Sequence, residues 1–188
     1  MSNKFWDSVL KNLNSLNETM EHIRNGTLPQ KGDGMTLYAL ADYAHHTHLY
    51  GNAMDQRGAR RDIGLEIVRR IVTRQTEIVT ELKADILYTE GSKKDAAEFE
   101  PLDIPVVYLD EGLDRYIELV HRANSRKDSR SERRFHQERE KTWYERISRG
   151  VNGYKVPLLI AGAAHINNEF GFRDKLKEGE IELVVLNP

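Results

Sequence analysis

Two stretches of the sequence place imidazoles just beyond apolar runs. Leu37 to His48 reads LYALADYAHHTH, and Leu159 to Ile166 reads LIAGAAHI. His45, His46 and His48 put three imidazoles within four residues. His46 and His48 lie two apart, so on extended backbone they point the same way and can share an ion. Neutral imidazole suits zinc, manganese, iron, cobalt or nickel. The plainer alternative is a polar loop that contains histidines. His165 follows Gly162 and two alanines, residues small enough to bring backbone close to a ligand. A lone histidine there also has an ordinary structural reading.

Two carboxylates sit in comparable places. Glu90 follows the run DILYT and precedes Gly91. It can be a metal ligand, a general base or an orienter of histidine, or an ordinary loop-start glutamate. Asp110 follows VVYL. It can act in the same way, or cap a helix starting at Glu111 by accepting bonds from free amides.

The stretch FHQEREKTW, Phe135 to Trp143, places Phe135, His136, Arg139, Thr142, Trp143 and Arg146 on one side of a helix. The aromatics should face the core and draw Arg139 inward, where a bare guanidinium is costly. Arg139 then needs a carboxylate or an anionic substrate group, unless it runs out to solvent along the aromatic stem.

Positioning these residues takes alternating strands and helices. Residues 3–24 read as a helix with an apolar stripe of Trp6, Leu10, Leu13, Leu16, Met20 and Ile23, ending at Gly26. The turn formers of 27–34 follow as a linker. Strands are expected at 35–41, 85–89, 104–109, 157–161 and 181–186. Helices are expected at 62–83, 111–122, 131–149 and 168–178. Val68, Ile71, Val72, Gln75, Ile78, Val79 and Leu82 mark the inner face of the second helix, with Arg69, Arg70, Arg74, Glu77 and Glu81 outside. Asn167 and Asn168 are candidate caps for the last. The pattern predicts an α/β domain over 35–188, a largely parallel or mixed sheet of about five strands flanked by helices, preceded by an N-terminal helical arm and linker over 1–34. In such sheets ligands bind beyond the carboxyl ends of the strands, which is where His45, His46, His48, Glu90, Asp110 and His165 fall.

Composition narrows the chemistry. The 188-residue chain has no cysteine, which excludes disulfides, thiolate metal sites and a cysteine nucleophile. No G-x-S-x-G elbow is present, so a serine-hydrolase mechanism has no support. The net charge of −2 gives no global drive toward nucleic acid or anionic membrane. Residues 122–149 hold ten Arg/Lys, but five Asp/Glu are interleaved, the pattern of a solvated helix laced with ion pairs. No apolar run is long enough for a membrane span and no signal peptide is read, so a cytoplasmic protein is expected. The amphipathic arm is a candidate surface for a homo-oligomer.

In order and form, residues 35–188 resemble a compact member of the superfamily that joins erythromycin esterases, ChaN-like haem-binding proteins and TraB/Tiki proteins. The similarity lies in histidines just past the first strand, a strand closing in Tyr88-Thr89-Glu90-Gly91, a helix bearing Glu138-Arg139, and a strand ending Gly162-Ala163-Ala164-His165. The resemblance implies a site of two histidines, one or two glutamates and an arginine, so Glu138 joins Glu90, Arg139 and His165 as a catalytic candidate. It also implies either hydrolysis of esters or peptides, with or without metal, or haem binding. His46-Thr47-His48 is similar to the His-x-His of amidohydrolases and PHP-type phosphoesterases, but those barrels need about 250 residues.

Two functions follow as expectations. One is a hydrolase of an ester, amide or similar bond in a small-molecule or peptide substrate. A divalent metal held by His45, His46, His48, His165 and Glu90 would activate water, or a histidine oriented by Glu90 would act as base, with Arg139 stabilising the developing oxyanion. The other is a binder without turnover of haem, metal or a small ligand, with His45, His48 or Tyr43 as haem ligands.

Overall fold

The protein is described here by a computed structural model that covers residues 3–27, 34–42, 58–91, 93, 99, 102–113 and 129–187. His45, His46, His48 and Tyr43 lie outside the described residues, as does most of the helix expected over 111–122.

The apolar runs form five strands: β1 (Met35–Asp42), β2 (Ile86–Thr89), β3 (Val106–Tyr108), β4 (Pro157–Gly162) and β5 (Ile181–Val185). They pair in the order β3-β2-β4-β1-β5, and every pairing is parallel. Parallel strands are covered on both faces, which is why their sequences read as continuous apolar runs. All six residues of β4 are buried. The edges are blunted by a three-residue β3 and by exposed Glu182 on β5.

Alternate residues feed two cores, as the two-residue repeat of a strand requires. Leu40, Leu87, Leu158 and Ile160 pack against α1 (Asn3–Arg24) and α2 (Ala59–Glu81). Ala39, Ala41, Ile86, Tyr88, Leu159 and Ala161 pack on the other face against α3 (Ser129–Ser148) and α5 (Phe172–Glu178), where Trp143, Ile147, Phe172 and Leu176 are buried. Between β4 and α5 lies α4, the single turn Ala163–Ile166.

On α2 the inner face is as expected, with Ile71, Gln75 and Ile78 fully buried. On α1 the phase differs. Leu10 is 57% exposed, whereas Val9, Asn12, Leu16 and Thr19 are buried. Polar bonding explains the rotation. Asn12 donates to the Asp42 carboxylate at 2.8 Å, and the Thr19 hydroxyl reaches the Ser15 and Leu186 carbonyls. The helix closes at Gly26, whose φ of +65° and the 2.9 Å bond from the Thr27 amide to the His22 carbonyl make a left-handed cap.

Two further expectations change. The segment 168–178 is not one helix: α4 already carries His165, and α5 starts only at Phe172. Asn168 still serves its start, accepting the Arg173 amide at 2.9 Å. Glu111 and Gly112 form a turn rather than a helix start, so Asp110 does not cap there.

Adjacent β1 and β4 send their chains in opposite directions, toward β2 and β5 respectively. The carboxyl ends of these strands form the switch-point crevice where ligands of open parallel sheets bind.

Candidate functional site

At that edge the sheet delivers three groups. Glu90 is the first residue after β2, and its amide continues the ladder to the Ile160 carbonyl at 2.9 Å. Asp110 lies two residues beyond β3, its amide bonded to the Gly91 carbonyl at 3.0 Å. Gly162 ends β4, opposite Asp42 of β1 in register. From the second face, α3 lowers Arg139, Glu140 and Trp143 onto them, and α4 supplies His165.

Asp110 is fully buried, with both oxygens engaged. One accepts Trp143 Nε1 at 2.8 Å and Arg139 Nε at 2.7 Å. The other accepts the Gly91 amide at 2.8 Å and Arg139 Nη2. Four donors match the capacity of a carboxylate. The left-handed φ of +105° at Gly91 lets the chain turn there and aim its amide at Asp110. Glu90 is held from both sides, by the Gly162 amide at 2.6 Å and by Arg139 Nη2 at 2.8 Å.

Arg139 therefore finds carboxylate partners within the chain. Burial pulls its pKa down, but Glu90 and Asp110 outweigh that and hold it above its usual value. It also lies 4.5 Å over the Trp143 ring. Of its five N–H groups, Nε and Nη2 serve the two carboxylates. Among the described residues Nη1 makes only a long contact, 3.4 Å, to His165 Nε2.

His165 is 4% exposed and enclosed by rings. Trp143 lies 4.7 Å away, Phe170 5.2 Å and His136 5.3 Å, centroid to centroid. Its Nδ1 is 2.7 Å from Glu140 Oε1. A carboxylate accepts, so Nδ1 is the donor in this bond, and a neutral ring then presents the Nε2 lone pair. That lone pair faces Arg139 Nη1, with Glu90 Oε1 at 3.8 Å. His136 stacks on Phe170 at 4.2 Å. Burial, then in acid the repulsion from a protonated His165, then Arg139, push its pKa down to about 4. It is neutral at physiological pH.

A depression of about 150 Å³, lined by Leu113, Glu138, Arg139, Lys141, Thr142 and Glu145, meets the cluster at one residue. Arg139 belongs to both.

Of the sequence candidates, Glu90, Arg139 and His165 come together. Asp110, weighed as a cap, joins them. Glu138 is exposed on the rim and contacts none of them through its side chain. Glu140, which sequence reasoning passed over, takes the place beside His165. It lies four residues after His136, three before Trp143 and seven before Ile147, the spacing of one buried stripe.

A divalent ion does not fit the described part of this site. His165 Nε2 and Glu90 are its best donors, yet the Arg139 guanidinium touches both, and two cations there would repel. Among the described residues no three His, Asp or Glu side chains converge to hold a metal. The expected metal and haem ligands His45, His46, His48 and Tyr43 lie outside the described residues. No family model, curated protein or solved structure matches the chain.

Proposed function

We propose that the protein is a hydrolase of an ester, amide or similar bond, with His165 as general base and no metal in the reacting step. The observation that carries this reading is the 2.7 Å bond between His165 Nδ1 and Glu140. It fixes the tautomer, leaves Nε2 able to take a proton and stabilises the imidazolium that results.

A water at Nε2 loses a proton to that nitrogen as its oxygen bonds to the carbonyl carbon. The carbonyl oxygen gains charge next to Arg139 Nη1, the one nitrogen of that side chain that meets no carboxylate among the described residues. The imidazolium then returns the proton to the leaving oxygen or nitrogen as the scissile bond breaks. Glu90 and Asp110 hold Arg139 in place, and the rings around His165 keep it dry, which strengthens each charge interaction. Membership of the erythromycin esterase, ChaN-like and TraB/Tiki group is part of the proposal. What supports it is that three positions of the sequence resemblance, Glu90, Arg139 and His165, meet at one sheet edge.

The test is hydrolysis of 4-nitrophenyl esters and peptide anilides by the full chain with a chelator present. Turnover should persist in the chelator. Glu140→Gln, which keeps the shape but removes the negative charge that stabilises the imidazolium, should lower kcat by about 10²–10⁴-fold. Equal rates in wild type and variant, or rates abolished by the chelator, would contradict the mechanism.

A further inference from the structure

One feature of the site is not used by the hydrolytic step. Glu140 is fully buried, and among the described residues only Oε1 is engaged; Oε2 is buried without a hydrogen-bond partner there. His136 Nδ1 is also buried and without a partner among the described residues. The two side chains are one helical turn apart on α3, which sets their Cβ atoms roughly 5–6 Å from each other, and both adjoin His165.

A phenyl ring at position 136 would stack on Phe170 as well as imidazole does and would bury no polar atom. Leaving polar atoms unpaired in the interior is costly, and here two occur one helical turn apart on α3. Their chemistry states what would satisfy them. Glu140 Oε2 can only accept. His136 is neutral, so it is a fixed hydrogen-bonding group and not a proton carrier. The ligand group must therefore be a donor. Charge favours a cationic one: among the described residues Glu90 and Asp110 share the Arg139 guanidinium, while the third carboxylate, Glu140, meets only the His165 ring. Nearby Arg146 is turned to the Tyr108, Leu109 and Glu111 carbonyls.

We propose that Glu140 Oε2 and His136 Nδ1 form a subsite for a small amine of the substrate, held beside His165 while the neighbouring bond is hydrolysed. This rests on the hydrolase reading and narrows it to amine-bearing esters or amides. His136 is then a specificity-determining residue.

The experiment compares kcat/KM for glycine 4-nitrophenyl ester, which carries an amine, with that for 4-nitrophenyl acetate, which does not. Wild type should prefer the amine-bearing ester by about tenfold or more, the size of one hydrogen bond to a charged group. His136→Phe, which keeps the ring stack, should erase the preference. His136→Asn, whose amide can replace Nδ1 but not the stack, should restore most of it. A wild type with no preference, or a preference unchanged in His136→Phe, overturns the subsite while leaving the hydrolase reading intact. If wild type cleaves neither ester, the hydrolase reading fails and the subsite is judged by binding alone. Nitrogen-15 resonances of histidine-labelled protein titrated with glycinamide should then show His136 Nδ1 moving saturably; a resonance that does not move overturns it.

Discussion

Two arginine–glutamate bonds of equal length sit in very different surroundings. On the outer face of α2, Arg69 meets Glu66 at 2.8 Å with 74% and 44% of the two side chains exposed. At the sheet edge, Arg139 meets Glu90 at 2.8 Å with 12% and 6% exposed. The first pair is one of a series with Arg70–Glu66 and Arg74–Glu77, each screened by water and salt. The second is locked to Asp110, Trp143, Gly162 and His165, with little water to take over if a partner is lost. Distance alone does not separate a surface ornament from a structural clasp; solvent access does.

Removing one partner should expose that difference most sharply. Arg139→Leu leaves Glu90 and Asp110 buried without their cation and should cost about 3–5 kcal/mol in urea unfolding. A loss below about 1 kcal/mol would mean that the cluster is wetter than its burial implies. The next largest effect comes from acid. His136 has its folded pKa lowered from 6.5 to about 4, so the folded state binds fewer protons than the unfolded chain between those values. The stability tied to this residue is complete above pH 6.5 and is lost as pH falls toward 4, a change of about 2 kcal/mol once solvent screening of a half-buried ring is discounted. Urea unfolding of wild type and His136→Phe at pH 7 and pH 4.5 should show a shallower pH slope in the variant; parallel slopes would refute the burial effect.

Smaller changes refine the contrast. Trp143→Phe removes one of four donors to Asp110 while keeping the ring, and should cost about 1–2 kcal/mol in the same assay. Glu66→Ala breaks two surface pairs and should cost less than about 1 kcal/mol, falling further in 1 M salt, where the screening length is about 3 Å. A Glu66→Ala cost as large as that of Trp143→Phe would erase the distinction between the regions.

How much of this could be read from residues alone follows the same division. The strands were legible because five apolar runs bounded by polar residues admit few alternatives, and each lies within two residues of its expected limits. Glu90 and His165 were legible because they end such runs. The helices were harder where polar residues set their phase. Leu10 fits a plausible apolar stripe on α1, but Asn12 and Thr19 have buried partners on the sheet and turn the helix toward themselves. On α3, charged residues crowd every face, so the choice between Glu138 and Glu140 turns on the single stripe through Trp143 and Ile147. Asp110 suited a helix cap by position, and only the three-dimensional approach of Gly91, Arg139 and Trp143 assigns its oxygens otherwise. The histidines at 45, 46 and 48 lie outside the described residues, and their place in the chemistry rests on sequence alone.

The account turns on one imidazole held by one carboxylate, and long-range proton–nitrogen NMR of the His165 ring at neutral pH tests it most directly. A protonated Nδ1 and an unprotonated Nε2 in wild type, with that pattern lost in Glu140→Leu, which offers Nδ1 no acceptor, is the predicted result. A proton resident on Nε2 in wild type, or a ring whose tautomer ignores residue 140, would contradict the assignment of His165 as the base.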